Sequence, residues 1–425
     1  MSLNEQQLFA IKCVKNKENI FITSRGAGCG KTYLLNNIID KFGNFWGYNK
    51  TLAVTATTGV ASLLLKNGRT INSWAGIGLG NNTVENLYND ILKHNKKNKW
   101  TSVDILIIDE ISLMPPELLE KLEKLGRMLR DNDKPFGGIQ LIFSGDWLQL
   151  PTVNGKNYAF ESDIWDKCID RTIYLTEIMR QKDDKFKKIL NDIRVGDINQ
   201  EVKDTLLSRI NVKLHNKIGI TPTKLFCVNE DVNKINNNQL NKLIKNNAEY
   251  KIYNIGWNSK YENNYSKYIK MCYLDEKLIL AKGCQVMLIK NLCIDDKLVN
   301  GSRGVIDDFD IHGSPIVSFL NGITITLEKV NHDIFIDEKL VGTFTQFPLR
   351  LAYASTIHKM QGSTLDYVIV DLERIFEVSQ GYVGLSRVTD LSGLSIEKIN
   401  FNNFKVSPKA LKFYKDLESH THSSG

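Results

Sequence analysis

Short apolar runs punctuate the first 165 residues, at Asn19 to Ser24, Leu52 to Thr55, Ile105 to Ile108 and Gln140 to Phe143. Each is too short for a helix and is bounded by polar or glycine residues, which predicts buried strands. After the first run, Leu34, Leu35, Ile38 and Ile39 recur at helical spacing within Thr32 to Asp40. Apolar strands separated by helical stretches predict a parallel sheet covered on both faces. Trp165 to Thr172 reads as a hinge into a second unit. There, residues 171–236 read as helical with one strand near Lys224 to Val228. Residues 237–280, rich in Asn, Lys and Tyr without a clear period, read as an insertion with long loops. From Lys282 to about Phe347 the period changes to two, at Val286 to Ile289, Gly304 to Asp307, Ile316 to Phe319 and Ile323 to Leu327. Asn-Gly (300–301, 321–322) and His-Gly (312–313) pairs between these runs predict hairpins, hence a small antiparallel barrel. Strand–helix alternation resumes at Leu349 to Ser355 and Tyr367 to Asp371, and the tail Ser419 to Gly425 is small and polar.

A chain of 425 residues accommodates two to four domains. With 42% hydrophobic and 24% charged residues it is a globular protein. Lys and Arg exceed Asp and Glu by seven, a mild basic excess compatible with a polyanionic partner. No apolar run approaches the roughly 18–20 residues of a membrane span, and the amino terminus has no apolar signal core. Seven cysteines, at 13, 29, 168, 227, 272, 284 and 293, are odd in number and never spaced Cys-x-x-Cys. That pattern argues against a disulfide framework and a structural zinc site, and for a reducing, intracellular setting.

The candidate chemistry lies in two segments. Ser24-Arg25-Gly26-Ala27-Gly28-Cys29-Gly30-Lys31-Thr32 follows a predicted strand and opens a predicted helix. Such a loop turns backbone N–H groups of Gly26, Ala27, Gly28, Cys29 and Gly30 toward phosphate oxygens at a helix amino terminus. Lys31 would reach the β- and γ-phosphates, and the Thr32 hydroxyl would ligate Mg²⁺. Arg25 stands where the GxxxxGK[ST] pattern has glycine. The second segment, Asp104 to Glu110, is an apolar strand ending in two adjacent acids. Asp109 would hold Mg²⁺ through its water shell, and Glu110 would orient and deprotonate the attacking water. A glycine-rich turn and a pair of helix-start acids are the plainer readings of each segment. Together the segments read as a nucleotide hydrolase using ATP and Mg²⁺.

In their order along the chain, these segments and several others resemble the Pif1-type helicases of superfamily 1B, relatives of RecD-type helicases. Leu3 to Gln7 resembles the Q motif, with Gln7 reading the adenine edge. Val54 to Ala61 resembles motif Ia, and Thr70 to Gly78 the next stretch, with Asn72 where the family usually has His. Ile111 to Met114 through Arg127 to Arg130 resembles the signature helix. Pro135 to Pro151 resembles motif III, whose Gln149 would sense the γ-phosphate. Leu175 to Gln181 resembles motif IV, with Arg180 facing the nucleotide. Ala352 to Thr364 resembles motif V, with Gly362 at the nucleotide, and Tyr382 to Val388 resembles motif VI, with Arg387 as arginine finger.

The resemblance implies two RecA-like P-loop NTPase domains in an α/β fold. Domain 1A would span 1–170, with a 1B wedge at about 66–98. Domain 2A would span 171–296 and 347–425, with an SH3-like β-barrel, 2B, at 297–346. It places the catalytic acids in the first half and the arginines in the second, with ATP between them. The expected DNA contacts are Thr55, Thr57, Ser73, Trp74, Thr356, His358 and Lys359, with Trp74, Trp147 and Tyr353 as candidate base-stacking rings. The implied activity is that of an ATP-dependent DNA helicase, which translocates 5′ to 3′ on single-stranded DNA and opens forked or tailed duplexes as a monomeric motor. Its implied settings are replication, repair, recombination and telomere maintenance. Two alternatives stay open: a translocase that strips proteins with little unwinding, and a non-catalytic DNA-binding module. The chain reaches its motifs within a few residues, as expected of a minimal motor core or a trimmed form of a longer protein.

Overall fold

A computed structural model describes residues 3–43, 51–62, 64–78, 80–152, 157–214, 220–259, 265–266, 269, 274–290, 292–293, 298, 301–336 and 339–422. The chain divides into two compact units. One comprises Met1–Asp197, Glu377–Ser379 and Lys405–Gly425; the other comprises Ile198–Phe376 and Gln380–Phe404.

The first unit runs α1 (Glu5–Lys15), β1 (Ile20–Ser24), α2 (Lys31–Phe42), β2 (Leu52–Ala56), α3 (Gly59–Ser62), β3 (Arg69–Thr70), α4 (Ile71–Ala75), α5 (Val84–Lys93) and α6 (Lys97–Thr101). It continues with β4 (Ile105–Asp109), α7 (Pro116–Arg130), β5 (Gln140–Ser144), α8 (Trp165–Cys168), β6 (Arg171–Leu175) and α9 (Asp184–Val195). Its strands form one parallel sheet in the order β3-β2-β4-β5-β1-β6. Alternate residues of the same strands feed two different cores. Ile20, Ile22, Val54, Ile105, Ile107 and Ile142 pack with Ala10, Val14, Leu34 and Ile38 of α1 and α2. Phe21, Ala53, Leu106, Ile108, Leu141 and Phe143 pack with α4 to α8 and with Ala410 and Tyr414 of the last helix, Pro408–His422. A one-residue slip of any strand would exchange the two sets, so the hydrophobic pattern fixes the register.

Two expectations are corrected in this unit. The hinge predicted at Trp165 to Thr172 lies inside it, because Ile173 and Leu175 of β6 complete the α1–α2 core and pair with β1, Ile22 opposite Ile173 and Ser24 opposite Leu175. The chain passes to the second unit only after Asp197. Residues from Lys405 onward return to the first unit, since Ala410 and Tyr414 are buried in its other core. Within 66–98, the span assigned to a wedge, β3 extends the sheet and α5 buries Leu87 and Ile91 in the core shared with α7.

The second unit contains α10 (Gln200–Leu207), β7 (Thr223–Phe226), α11 (Asn229–Lys245), β8 (Tyr250–Asn254), β9 (Gly256–Ser259), β10 (Lys277–Ala281), β11 (Gln285–Leu288), β12 (Arg303–Phe309) and β13 (Pro315–Phe319). Then come β14 (Thr324–Thr326), β15 (Val330–Ile336), β16 (Lys339–Gln346), β17 (Leu349–Leu351), β18 (Ala354–Thr356), β19 (Val368–Leu372) and β20 (Leu394–Ile399). A parallel sheet, β18-β7-β19-β20, is joined by antiparallel sheets β14-β13-β12-β11-β17, β15-β16-β9 and β10-β8. Gly313 and Gly322 take φ of 79° and 89° in the two hairpin turns read from their sequence, conformations that disfavour a β-carbon. Asn300 of the third predicted turn lies outside the described residues, as do residues 423–425 of the tail.

The predicted barrel, 297–346, is a truncated view of this antiparallel region. β11 and β17 pair with each other inside its five-stranded sheet, which therefore spans 285–351. Leu349 to Leu351 accordingly belongs to this sheet and not to the parallel one. The insertion predicted at 237–280 is more regular than expected: α11 runs on to Lys245, and β8 to β10 form ladders. Residues 260–264, 267–268 and 270–273 of that span lie outside the described residues.

Candidate active site

The glycine-rich loop connects the end of β1 to α2 at the carboxyl edge of the first unit's sheet. Gly28 and Gly30 take φ of 87° and 83°. A β-carbon at Gly28 would lie 2.4 Å from Cβ of Arg180, and one at Gly30 would lie 2.9 Å from Nε2 of Gln7. Glycine is thus required twice over, by conformation and by space. Gly30 caps α2 without a side-chain hydrogen bond, which leaves the helix amino terminus to an anion. Lys31 Nζ donates to Ser24 Oγ at 2.9 Å, and Ser24 Oγ donates to the Gly26 carbonyl at 2.8 Å. The end of β6 and the segment after it brace the loop: Arg25 N–H donates to Leu175 O, and Met179 N–H donates to Gly28 O. Gln7 is fully buried on α1, its N–H and Oε1 held in a capping box with Asn4. Its Nε2 has no protein partner beside Gly30. A buried donor left unsatisfied against the phosphate loop is suited to an acceptor on a bound base.

β4 delivers the acids. Asp109 is 3% exposed, and burial pushes its carboxyl above the ordinary value; the Glu110 N–H, the Ser144 hydroxyl and Lys31 oppose that only in part. Glu110 takes φ 52°, ψ 42°, left-handed for a non-glycine residue. It is held there by its N–H donating to Asp109 Oδ1 at 2.9 Å and by its carbonyl accepting from Thr57 Oγ1 at 2.8 Å. Strain of this kind is maintained where a side chain has to be aimed. A buried carboxylate short of positive charge, beside the Lys31–Thr32 turn, fits a divalent cation. Among the described residues no group of three or more His, Cys, Asp or Glu forms an all-protein cage. Mg²⁺ held by one carboxylate, one hydroxyl, waters and phosphate oxygens needs none.

Sequence reasoning missed the network behind the loop. Asp146 and Arg194, 0% and 2% exposed, form an ion pair of 2.9 Å. Arg194 Nη2 also donates to the Ser24 carbonyl at 2.9 Å, and its guanidinium lies 4.6 Å from the Tyr414 ring. Asp146 accepts from Tyr414 OH at 2.9 Å, from Leu148 N–H at 3.1 Å and from Gln149 Nε2 at 3.1 Å. Burial alone would raise the Asp146 carboxyl; Arg194, Lys31 and the Gln149 hydrogen bond outweigh it and hold it below the ordinary carboxylate value. Tyr414 OH further meets Thr23 Oγ1 at 2.6 Å and accepts from Trp147 N–H at 3.2 Å. One buried cluster therefore ties β1, Gln149, α9 and the last helix together.

The structure gathers Gln7, Gly26 to Thr32, Asp109, Glu110, Gln149 and Arg180 in the first unit. Arg180, expected with the second half, is thereby reassigned. Gly362, Arg387, Thr356, His358 and Lys359 belong to the second. Arg387 is 1% exposed there, donating to the carbonyls of Val383, Met360 and Ser363 and to Ser386 Oγ. Several expected DNA contacts are corrected. Trp74 is buried against Trp100, ring centroids 4.7 Å apart, and Trp147 is buried among Phe21, Tyr158, Phe160 and Trp165. Neither ring can stack a base. Thr55 is fully buried, its hydroxyl donating to Ile107 O, and the buried Thr356 hydroxyl accepts from Lys359 N–H. Tyr353 is partly buried, and its OH accepts from Gln285 N–H. Thr57 is partly exposed, with its hydroxyl given to Glu110 O; Ser73 and Lys359 are exposed, and His358 is partly so.

A family model described as PIF1-like helicase matches residues 2–204, and one for the DNA helicase Pif1 2B domain matches 269–309. A third, for the C-terminal region of FakA-like fatty acid kinase proteins, matches 177–287, a stretch that straddles the boundary between the two units. The chain is 38% identical to uncharacterized protein 030L of Invertebrate iridescent virus 6, over 98% of its own length and 94% of that protein's. It is 36% identical to the ATP-dependent DNA helicase PIF1 of Xenopus laevis, over 98% of its own length. The crystal structure of Pif1 helicase from Candida albicans superposes with a TM-score of 0.85 at 35% identity, covering 98% of this chain and 100% of that one. This chain belongs to the Pif1 helicase family. It spans 64% of the length of the Xenopus Pif1 protein. A Bacteroides Pif1 helicase in complex with ADP-AlF3 and single-stranded DNA is 28% identical, with a TM-score of 0.69, covering 99% of this chain and 98% of that one. Among the described residues no helix is long and apolar enough to cross a membrane.

Proposed function

We propose that the chain is an ATP-dependent DNA helicase that moves 5′ to 3′ along single-stranded DNA and opens tailed or forked duplexes, inside the cell and in the service of replication, repair or recombination. The observation that carries this reading is the first unit's single constellation of phosphate loop, Lys31, Asp109, Glu110 and Gln149. The Bacteroides relative's complex with ADP-AlF3 and single-stranded DNA supports it. The loop N–H groups and Lys31 bind and orient the phosphates, and Gln7 Nε2 donates to the base. Thr32 and Asp109 would hold Mg²⁺, which supplies charge neutralisation at the β- and γ-phosphates. Glu110, aimed by its strained backbone, accepts the proton of the attacking water. Gln149, fixed by Asp146, senses the γ-phosphate. The family resemblance assigns stabilisation of transition-state charge to Arg387 of the second unit. Exposed Ser73 and Lys359, with His358 and Thr57, serve the DNA.

The test is unwinding of partial duplexes with a 5′ or a 3′ tail, with Mg²⁺ and ATP, beside ATP turnover with and without single strands. Opening of the 5′-tailed duplex alone is expected, as are Lys31→Ala and Glu110→Gln proteins that bind DNA and leave it closed. Opening of only the 3′-tailed duplex would reverse the polarity; turnover indifferent to DNA would remove the motor reading.

A further inference from the structure

The first unit's sheet ends in an open edge that the nucleotide constellation does not use. β6 is its outermost strand, and among the described residues only β1 pairs with it. Toward β1, Arg171 N–H donates to Asn19 O, and Leu175 O accepts from Arg25 N–H. Main-chain groups alternate in direction along a strand, so Thr172 and Tyr174, between those two residues, turn their N–H and C=O outward. Beside them lies a groove of about 710 Å³, to which α1 contributes Glu5 and Phe9, the last helix Glu418, and the end of β1 Arg25. The open stretch is bounded. Beyond Tyr174, Gln6 Oε1 accepts from Thr176 N–H at 2.9 Å. Before Thr172, the Arg171 guanidinium pairs with Glu18 at 2.6 Å and lies 5.7 Å from the Phe9 ring centroid.

Three properties of this groove specify an occupant. Outward main-chain donors and acceptors match those of an extended peptide, which adds to a sheet edge through the same bonds that join strands. Phe9 is 46% exposed and its neighbour Leu8 52%, an apolar rim for alternate side chains of such a peptide. The charge is acidic in a chain whose net charge is +7: Glu5 and Glu418, both exposed, outnumber Arg25. That sign repels nucleic acid phosphates and attracts Lys or Arg side chains. We propose that the β6 edge docks an extended, basic peptide segment of a partner protein. The segment pairs with Thr172 and Tyr174 as an added strand and brings its cationic side chain to Glu5 and Glu418. It meets none of the side chains that the helicase reading uses, so either stands without the other.

The probe is a phage-displayed library of random heptapeptides panned on the whole chain; the enriched sequence is then made as a labelled peptide and titrated by fluorescence anisotropy. Enrichment of peptides rich in Lys or Arg is expected. Thr172→Pro removes one outward N–H at an edge position where proline is tolerated, and should weaken binding roughly fivefold. Glu5→Lys combined with Glu418→Lys reverses both charges and should weaken it roughly tenfold at low salt. Both proteins should keep the parent's ATP turnover and thermal midpoint. Methylating alternate peptide nitrogens should abolish binding for one set and spare it for the other, a signature of strand pairing that side-chain docking lacks. Enrichment of acidic or uncharged peptides, no enrichment at all, or a peptide indifferent to both variants refutes the site. If the parent chain self-associates and Thr172→Pro makes it monomeric, the edge serves a second copy and the proposal is overturned. Should Thr172→Pro fail to fold, the charge-reversed protein and the methylated peptides decide.

Discussion

Replacing Tyr414 by Phe removes one oxygen from the cluster behind the phosphate loop and leaves the ring in place. The ring contacts, Arg194 at 4.6 Å and Phe413 and Tyr174 at 5.5 and 6.0 Å, survive the change. What is lost is a hydrogen bond to the ionised Asp146 and the partner of both Trp147 N–H and Thr23 Oγ1. A hydrogen bond to a charged group contributes about 1.5–3 kcal/mol, and a buried donor left unsatisfied costs about 1–3 kcal/mol. With some relaxation, the first unit should lose roughly 2–4 kcal/mol, and its thermal midpoint should fall by roughly 5–12 °C. Asp146 also holds Gln149 Nε2, so the γ-phosphate sensor should lose its aim. A loss of about tenfold or more in kcat for ATP is expected, with KM changed less, because displacement of a positioning group acts mainly on the transition state. Calorimetry and steady-state ATP turnover provide the assays. Tyr174→Phe is the control: its hydroxyl donates to Glu418 in an exposed pair and should cost under about 1 kcal/mol. A Tyr414→Phe protein that melts and turns over like its parent would show that the hydroxyl holds nothing, and the reasoning would fail.

Asp109→Asn should abolish Mg²⁺-dependent turnover yet raise the melting temperature of the nucleotide-free chain, since burial already penalises the ionised form; a lower melting temperature would contradict that. The same shift has a sign in pH: with its folded value raised, the Asp109 contribution is present at low pH and is lost as pH rises from the unfolded value through the folded one. Asp146 behaves oppositely, its folded value being depressed: its contribution is present above the unfolded value of about 3.9 and is lost on acidification through the folded one. An Asp146→Asn chain should therefore show a flatter loss of stability below about pH 4 than its parent, as measured by urea unfolding. Gly28→Ala should lose nucleotide binding, because its methyl group would overlap Arg180 Cβ in a backbone conformation alanine resists; equilibrium titration with a fluorescent ATP analogue checks it.

Much of the site is legible in the sequence because its chemistry is local. Gly26 to Thr32 and Asp109-Glu110 each lie at the end of a short apolar run, and the structure places both where strand ends meet. Arg194 and Tyr414 carry no such signal. They reach Asp146 across 48 and 268 positions of the chain, and each occupies an ordinary helical position in its own segment. The domain boundary is misread for a related reason. Residues 171–175 alternate like any edge strand, and nothing local states that their partner is β1. Trp74 is misplaced because an aromatic in a five-residue helix has too little periodicity around it to show which way it faces.

The path of the chain sets the order in which this enzyme can be completed. Thr23 and Asp146 are made before the second unit, whereas Tyr414, which closes the cluster around them, emerges only after the whole second unit has been made. A nascent or prematurely stopped polypeptide carries the phosphate loop without its final brace. Completion of the buried cluster is thereby deferred until the second unit has been translated.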